Sequence, residues 1–451
     1  MLNKEIKRLC KNSAGFSLGK ILPKAIGFFL IPVYTRFLTP EDYGILEIAR
    51  ITLSILTIVY LSGQVGSLQR FYYDYYKDRK KLKSYVGTIV LFVAGLSLLL
   101  SLVLTLFGEP LFGLMFAEIP FRPYFLIVIW TAFLSSILPF PHRLMQVREK
   151  SFLYSGLSIG SFIITLTLIL YFVVVEKQGA LGSLKASLIT AGLAFIVSWI
   201  LLKPDIRITI DPGKLRESLR FGMPLIPHAL AGWILNFVDR MFLSHYTGLT
   251  EVGLYSLGYK FGLVLSIIVT SINFAWAPFF MSTAKERPQK AGQIFSGITN
   301  YYIIFIVFLA LGISAYAREI IKIMATPEFY NAHRVIPLIA LTYLFQGMYY
   351  MVVNQIFYTK KTKWLALTTT LGAAANVLLN ILFIPRWGMM GAAWATAISF
   401  LIIFVMTWTL ANRFYPVNYN YSKIGKILFA GVTCFAGAKF LESPAVWTSF
   451  A

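Results

Sequence analysis

The chain is divided into long apolar runs by short polar punctuation, and the runs are roughly 17 to 25 residues long, the length an α-helix needs to cross about 30 Å of hydrocarbon. Read between breakers, they place spans at 12–35, 43–66, 84–107, 121–141, 151–175 and 180–202. A second set follows at 218–243, 252–280, 291–315, 332–358, 363–384 and 389–411, with a weaker run at 424–440. Only 13% of the residues are charged, against about 25% in soluble domains. A membrane barrel would alternate over about ten residues instead. The fold expected is therefore an all-α membrane protein of about 12 transmembrane helices plus one or more C-terminal helices. Met1–Lys11 is basic and amphipathic, and the run after it is too long and glycine-rich for a cleaved signal, so the first helix is expected to stay in the mature protein.

The formal charge of +22 is a topology signal, not a nucleic-acid footprint, because the cations fall in alternate connections. One side holds Lys4, Lys7, Arg8 and Lys11, then Arg70 to Lys83, then Arg143, Arg148 and Lys150, and continues through Lys203 to Arg220, Lys285 to Lys290 and Lys360 to Lys363. The other side is poorer in cations and carries Glu41, Asp42, Glu109, Glu118, Glu176, Glu251, Glu319 and Glu328. The positive-inside rule then predicts a cytoplasmic N-terminus. Cys10 and Cys434 lie in unlike regions and predict no disulfide. His142, His228, His245 and His333 lack metal-ligand spacing, so no metal is expected.

Two stretches are alike, Gly179-Ala180-Leu181-Gly182 and Gly388-Met389-Met390-Gly391, at an offset of 209 residues (179 to 388). The same offset relates Tyr43-Gly44-Ile45 to Val252-Gly253-Leu254, Gln146-Val147 to Gln355-Ile356, and Lys81 to Lys290. An internal duplication follows. It predicts an N-lobe at 1–202, a polar cytoplasmic linker at 203–217, a C-lobe at 218–411 and a C-terminal extra helix, truncated or surface-lying, at 412–451. Six spans per half make the halves parallel repeats, the symmetry with which transporters rock two lobes around a midplane site.

Three stretches carry a family resemblance: Thr35-Arg36-Phe37-Leu38-Thr39-Pro40-Glu41-Asp42-Tyr43-Gly44; Phe221 to Pro227 running on through Asp239-Arg240 to Val252–Ser256; and Asn380 to Gly388 followed by Gly391-Ala392-Ala393. With them the chain resembles the polysaccharide (O-antigen type) flippases of the multidrug, oligosaccharidyl-lipid and polysaccharide exporter superfamily. The resemblance implies translocation of a polyprenyl-diphosphate-linked oligosaccharide to the outer leaflet by alternating access, in a bacterial or archaeal cytoplasmic membrane, for cell-surface polysaccharide assembly. Membrane lipids and other polysaccharide-assembly membrane proteins are the implied partners, nucleic acid is not, and lipid II is a narrower variant of the same cargo.

Charges inside the spans point to where such a cargo binds. Lys20, Lys24, Arg50, Lys185 and Lys260 are intramembrane cations, and each would cost about 2.5–3.5 kcal/mol facing lipid at the bilayer centre. A cationic, water-filled cavity between the lobes accommodates them and suits a diphosphate. Lys20 and Lys24 share one helical face with Gly27, and Glu47 can pair with Arg50 three residues on. The same residues have plainer readings: Lys20, Lys185 and Lys260 within snorkelling reach of an interface, and Glu47 with Arg50 as a purely structural pair. Gly19, Pro23 and Gly27 in the first span, with Pro224 and Pro227 in the seventh, are expected hinges; close helix packing is the alternative for the small residues. Asp239 and Arg240 read equally as a gate or as a structural ion pair.

Rival functions are weaker. A cation-coupled multidrug exporter of the same superfamily would want an unpaired carboxylate, whereas here five cations stand against Glu47. A membrane glycosyltransferase or polymerase would need catalytic acids and a larger outer loop. The G-x-S-x-G matches at Gly15–Gly19 and Gly156–Gly160 have no strand-turn-helix context. No phosphate-binding loop of the G-x-x-x-x-G-K-[ST] type occurs. The chain is thus expected not to be an enzyme and to need no cofactor, with H+ or Na+ as the open choice of coupling ion.

Overall fold

The computed structural model describes residues 30–441, with Gly15, Gly19, Leu22, Gly27 and Phe28 ahead of them. Among these residues every regular element is helical. Ten stretches are long and apolar enough to cross a membrane. One of them, Lys363–Phe414, holds two crossings, because its backbone breaks at Gly388 with φ +51°. The two expected spans 363–384 and 389–411 flank that glycine.

In chain order the helices are α1 Ile31–Phe37, α2 Pro40–Leu61, α3 Gln64–Tyr75, α4 Arg79–Met115, α5 Leu126–Ser135, α6 Pro139–Val147, α7 Ser151–Ile169 and α8 Gly179–Leu202. They continue with α9 Pro212–Gly222, α10 Leu225–Tyr246, α11 Leu249–Glu286, α12 Pro288–Ala315, α13 Ala317–Met324, α14 Ile336–Tyr358, α15 Lys363–Phe414 and α16 Tyr421–Leu441. Helix α4 has 37 residues, about 55 Å at 1.5 Å per residue, so it overshoots the hydrocarbon. The polar first turns of such helices extend them past the apolar run, which is why the hydropathy reading made them shorter.

Local chemistry sets the starts. Thr39 caps α2 reciprocally with Asp42: the Asp42 N–H donates to Thr39 Oγ1 at 3.1 Å, and the Thr39 N–H donates to Asp42 Oδ2 at 3.2 Å, with Pro40 at the first helical position. Asp78 and Asp211 cap α4 and α9 by accepting two backbone N–H groups each. Helix α4 shows Leu99, Leu106, Phe107 and Leu114 on an exposed apolar flank, as a lipid-facing helix must.

Contacts group the chain into two compact units, Met1–Trp233 and Ile234–Ala451. The first unit thus takes in the stretch 203–217 and the first half of α10, and the division falls inside a helix. A core cluster of this unit lies where α3, α4 and α6 meet, around Phe71, Tyr85, Ile89, Val93 and Phe140. The connector is fastened to this base. Arg148 donates a two-pronged pair of hydrogen bonds to Asp205 at 2.6 and 2.8 Å, Thr88 Oγ1 accepts the Asp211 N–H at 3.1 Å, and Lys214 reaches Ser84 Oγ at 2.9 Å. The hydrogen bonds that Arg148 donates to Asp205 hold its guanidinium above its ordinary, already high, pKa. In the second unit the weak C-terminal run is the helix α16, packed along α12.

The duplication has a structural counterpart. Gly179 and Gly388 both adopt positive φ, +58° and +51°. Directly after them, the Ala180 N–H donates to Asp42 Oδ1 at 2.9 Å and the Met389 N–H donates to Glu251 Oε2 at 2.8 Å. All three pairs of positions, 179/388, 180/389 and 42/251, share the offset 209 seen in the sequence. In each unit a carboxylate from the second helix of the repeat therefore clasps the N-terminus of its last helix, where the macrodipole favours an anion. A Cβ on either glycine would collide with that carboxylate, so the glycines are required twice over.

Candidate functional site

The face of α2 carries Glu47, Arg50 and Ser54 at helical spacing. Arg50 Nη1 donates to Glu47 Oε1 at 2.9 Å, with the carboxylate side chain 7% exposed and the guanidinium side chain 56% exposed. The acid is thus held inside while the cation reaches out. Trp233, in the first half of α10, donates its indole N–H to Ser54 Oγ at 2.7 Å on the same face. Lys185 lies in the second turn of α8 and donates backward to Gln178 Oε1 at 2.9 Å, toward the helix start. Lys260 is half-buried on α11. Lys20, Lys24 and Pro23 lie outside the described residues.

The expected hinge positions divide in kind. Gly19 packs against α7, where an added Cβ would lie 2.8 Å from Ser155 Cα, so the close approach of two helices requires a glycine there. A Cβ on Gly27 would meet open space. Pro224 sits in the two-residue break between α9 and α10, and Pro227 in the first turn of α10, where its missing N–H leaves no bond unmade. The second span is broken as well, at Ser62 and Gly63, both left-handed at φ 45° and 71°. Around these two breaks Ser218, Gln64, Ser67 and Tyr85 form a buried polar cluster: Ser67 Oγ donates to the Ser218 carbonyl at 2.9 Å, Ser218 Oγ donates to Gln64 Oε1, and the Tyr85 and Ser218 hydroxyls stand 3.3 Å apart.

Asp239 and Arg240 on α10 are buried, their side chains 2% and 4% exposed. Arg240 Nη1 donates to Asp239 Oδ1 and to the Asn236 carbonyl, both at 2.7 Å. The Tyr255 hydroxyl donates to Asp239 Oδ2 at 2.6 Å. The guanidinium carbon lies 4.8 Å from the Tyr255 ring and 4.1 Å from the Tyr259 ring, within cation–π range. Tyr343 closes the cluster by donating to the Tyr259 hydroxyl at 3.0 Å. Its geometry is that of an internal ion pair knitting α10, α11 and α14 together.

Sequence reasoning also missed a polar constellation on α6. His142 entered it only in a search for metal ligands and Arg143 only as a topology cation. Both line a cavity beside Gln146 on α6. Nothing in the local sequence sets them apart, because the cavity needs α3 and α5 to close it.

Comparison with known proteins fits this architecture. Residues 9–284 match the family described as polysaccharide biosynthesis protein. The Lsg locus putative protein 1 of Haemophilus influenzae is 24% identical over 85% of this chain and 95% of its own length. The probable low-salt glycan biosynthesis flippase Agl15 of Haloferax volcanii is 21% identical over 54% of this chain and 53% of its own. Among solved structures, the lipid II flippase MurJ in an inward closed conformation superposes with a TM-score of 0.75 at 15% identity, covering 95% of this chain and 93% of that one. An inward-facing multidrug resistance MATE family transporter gives 0.69 at 13% identity, covering 91% and 95%. Both share the two-lobe, all-helical fold, and the match over more than half of its residues places this chain in the polysaccharide biosynthesis protein family.

Proposed function

We propose that this chain is a flippase that moves an anionic polyprenyl-diphosphate-linked oligosaccharide from the cytoplasmic to the outer leaflet by alternating access. The observation that carries this reading is that a chain of a polysaccharide biosynthesis family has the fold of a lipid II flippase over 95% of its length. The protein then sits in a bacterial or archaeal cytoplasmic membrane with its N-terminus inside, and supplies cargo to cell-surface polysaccharide assembly. It carries rather than transforms its substrate, and H+ or Na+ remain the candidate coupling ions. Arg50, whose guanidinium projects from α2 while Glu47 stays buried, and Lys24 of the first expected span are the cations offered to the diphosphate. Lys20, Lys185 and Lys260 add to the positive potential. Breaks at Pro224 and at Ser62–Gly63 are the places where spans can bend.

The MATE likeness favours a second reading, export of cationic drugs. The only acid on the α2 face is Glu47, already bound by Arg50, which suits an anionic cargo better. Translocation of a fluorescent polyprenyl diphosphate oligosaccharide in proteoliposomes decides between them. Wild type is expected to move it, with Lys24→Ala and Arg50→Ala slowed at least about tenfold, the scale of one lost charge-assisted contact. A wild type that moves only cationic dyes would overturn the flippase reading in favour of drug export.

A further inference from the structure

A cavity of about 220 Å³ opens in the first unit between α3 and the junction of α5 and α6. Val65, Leu138 and Pro139 form its apolar wall, and Ser135, His142, Arg143 and Gln146 its polar one. A liquid water takes about 30 Å³, so the space exceeds a single bridging water several times over.

Arg143 is held but not neutralised. Its Nη1 donates to Gln69 Oε1 at 2.8 Å and to Gln146 Oε1 at 2.9 Å, two uncharged acceptors that fix the plane of the guanidinium. No carboxylate pairs with it among the described residues, whereas Arg148, one and a half turns on, is paired with Asp205. The Arg143 Nε is buried and has no hydrogen-bond partner, and the same is true of His142 Nε2. The His142 ring is fixed against Tyr154, with centroids 4.6 Å apart. Neighbouring residues thus bring a positioned positive charge and two orphaned nitrogens to one cavity. Leaving a buried polar nitrogen without a partner costs about 1–3 kcal/mol.

We infer that this cavity is a subsite for a phosphate-type anion, with Arg143 as its charge, His142, Ser135 and Gln146 as its polar wall, and the diphosphate of the cargo as its occupant. Tetrahedral oxyanions offer several acceptor oxygens at once, and a guanidinium fork matches them two by two. The inference deepens the flippase reading and rests on it: it gives the diphosphate a docking point on α6, near the end of the spans where Arg148 and Lys150 predict the cytoplasm, in addition to Arg50. An anionic phospholipid headgroup would present the same chemistry.

The test is binding of inorganic diphosphate to the full chain in phosphatidylcholine nanodiscs. Saturable binding is expected in the wild type, weakened at least about tenfold in Arg143→Gln, the scale of a charged hydrogen-bonding partner removed. Arg143→Lys, which keeps the charge and loses the fork, should fall between the two and guards against misfolding, as does His142→Phe, which keeps the ring on Tyr154 and should weaken binding about threefold. Polyprenyl diphosphate should displace the probe. Displacement by phosphatidylglycerol alone would overturn the assignment to the cargo, and wild-type affinity in Arg143→Gln, or no saturable binding at all, would overturn the subsite. Because this assay needs no transport, a wild type that binds diphosphate but fails to flip a lipid-linked oligosaccharide would sink the flippase reading separately.

Discussion

Gly63 and Gly222 meet backbone to backbone. A Cβ on Gly63 would fall on the Gly222 carbonyl oxygen, and a Cβ on Gly222 would lie 2.9 Å from the Ser62 carbonyl oxygen. The break between α2 and α3 is therefore stacked on the end of α9, and the Ser218 cluster seals the joint. Gly63 is also left-handed at φ +71°. Gly63→Ala should destabilise the protein by about 1–3 kcal/mol from backbone strain alone, with the steric clash in addition. Thermal unfolding in detergent checks this, and an unchanged midpoint would show that the two breaks do not need to touch.

The Asp239–Arg240 pair makes a sharper test of what buried charge does here. Arg240→Met should cost about 3–5 kcal/mol, because Asp239 is left as an uncompensated buried charge. The double variant Asp239→Asn with Arg240→Met should recover most of that loss. If the single and double variants were equally unstable, the tyrosine cage around the guanidinium would matter more than the ion pair.

Because the clasp is repeated, loss of either copy should destabilise the protein. Asp42→Ala removes the acceptor of the Ala180 N–H, and Glu251→Ala that of the Met389 N–H. Each should cost about 1.5–3 kcal/mol, the range for hydrogen bonds to charged groups. Asp42→Ala should be the worse of the two, since it also breaks the capping box with Thr39. Parallel unfolding curves of the two variants measure the difference, and a neutral Glu251→Ala would end the equivalence.

Asp211 predicts an acid limb of stability. The Lys214 backbone N–H, then the Lys214 side chain and the Gly213 N–H, hold its carboxyl below the ordinary value. A group whose folded pKa is depressed stabilises fully above its unfolded pKa, near 4, and loses that contribution as pH falls through the folded value. Asp211→Asn, which can still cap α9, should flatten the loss of thermal stability between pH 5 and pH 3, values that bracket the ordinary carboxylate range of about 4. A slope equal to that of the wild type would assign the acid limb elsewhere.

Much of this fold was legible because membrane helices announce themselves by length. The runs 363–384 and 389–411 flank the break at Gly388, and the 209-residue offset singled out both clasp glycines. The acids that hold them, Asp42 and Glu251, stand one residue before the Tyr43 and Val252 matches, yet hydropathy reads them only as loop charge. The break at Ser62–Gly63 was invisible for the opposite reason: it lies inside a run apolar enough to be one helix, and only contact with Gly222 shows why it is there. Arg143 illustrates the limit for the site. A cation near a span end has one meaning in a charge count and another beside Gln69 and His142, and only the packing of α3 against α6 distinguishes them.

The clasp also dictates an order of assembly. Asp42 and Ala180 are 138 residues apart, as are Glu251 and Met389, and a nascent chain leaves the ribosome from its N-terminus. Each acid is made early and waits in the bilayer until the last helix of its own half arrives. The first half can therefore lock before the second has been synthesised, and the second repeats the same wait with its own partner. The same clasp can thus be closed twice in succession, once in each half.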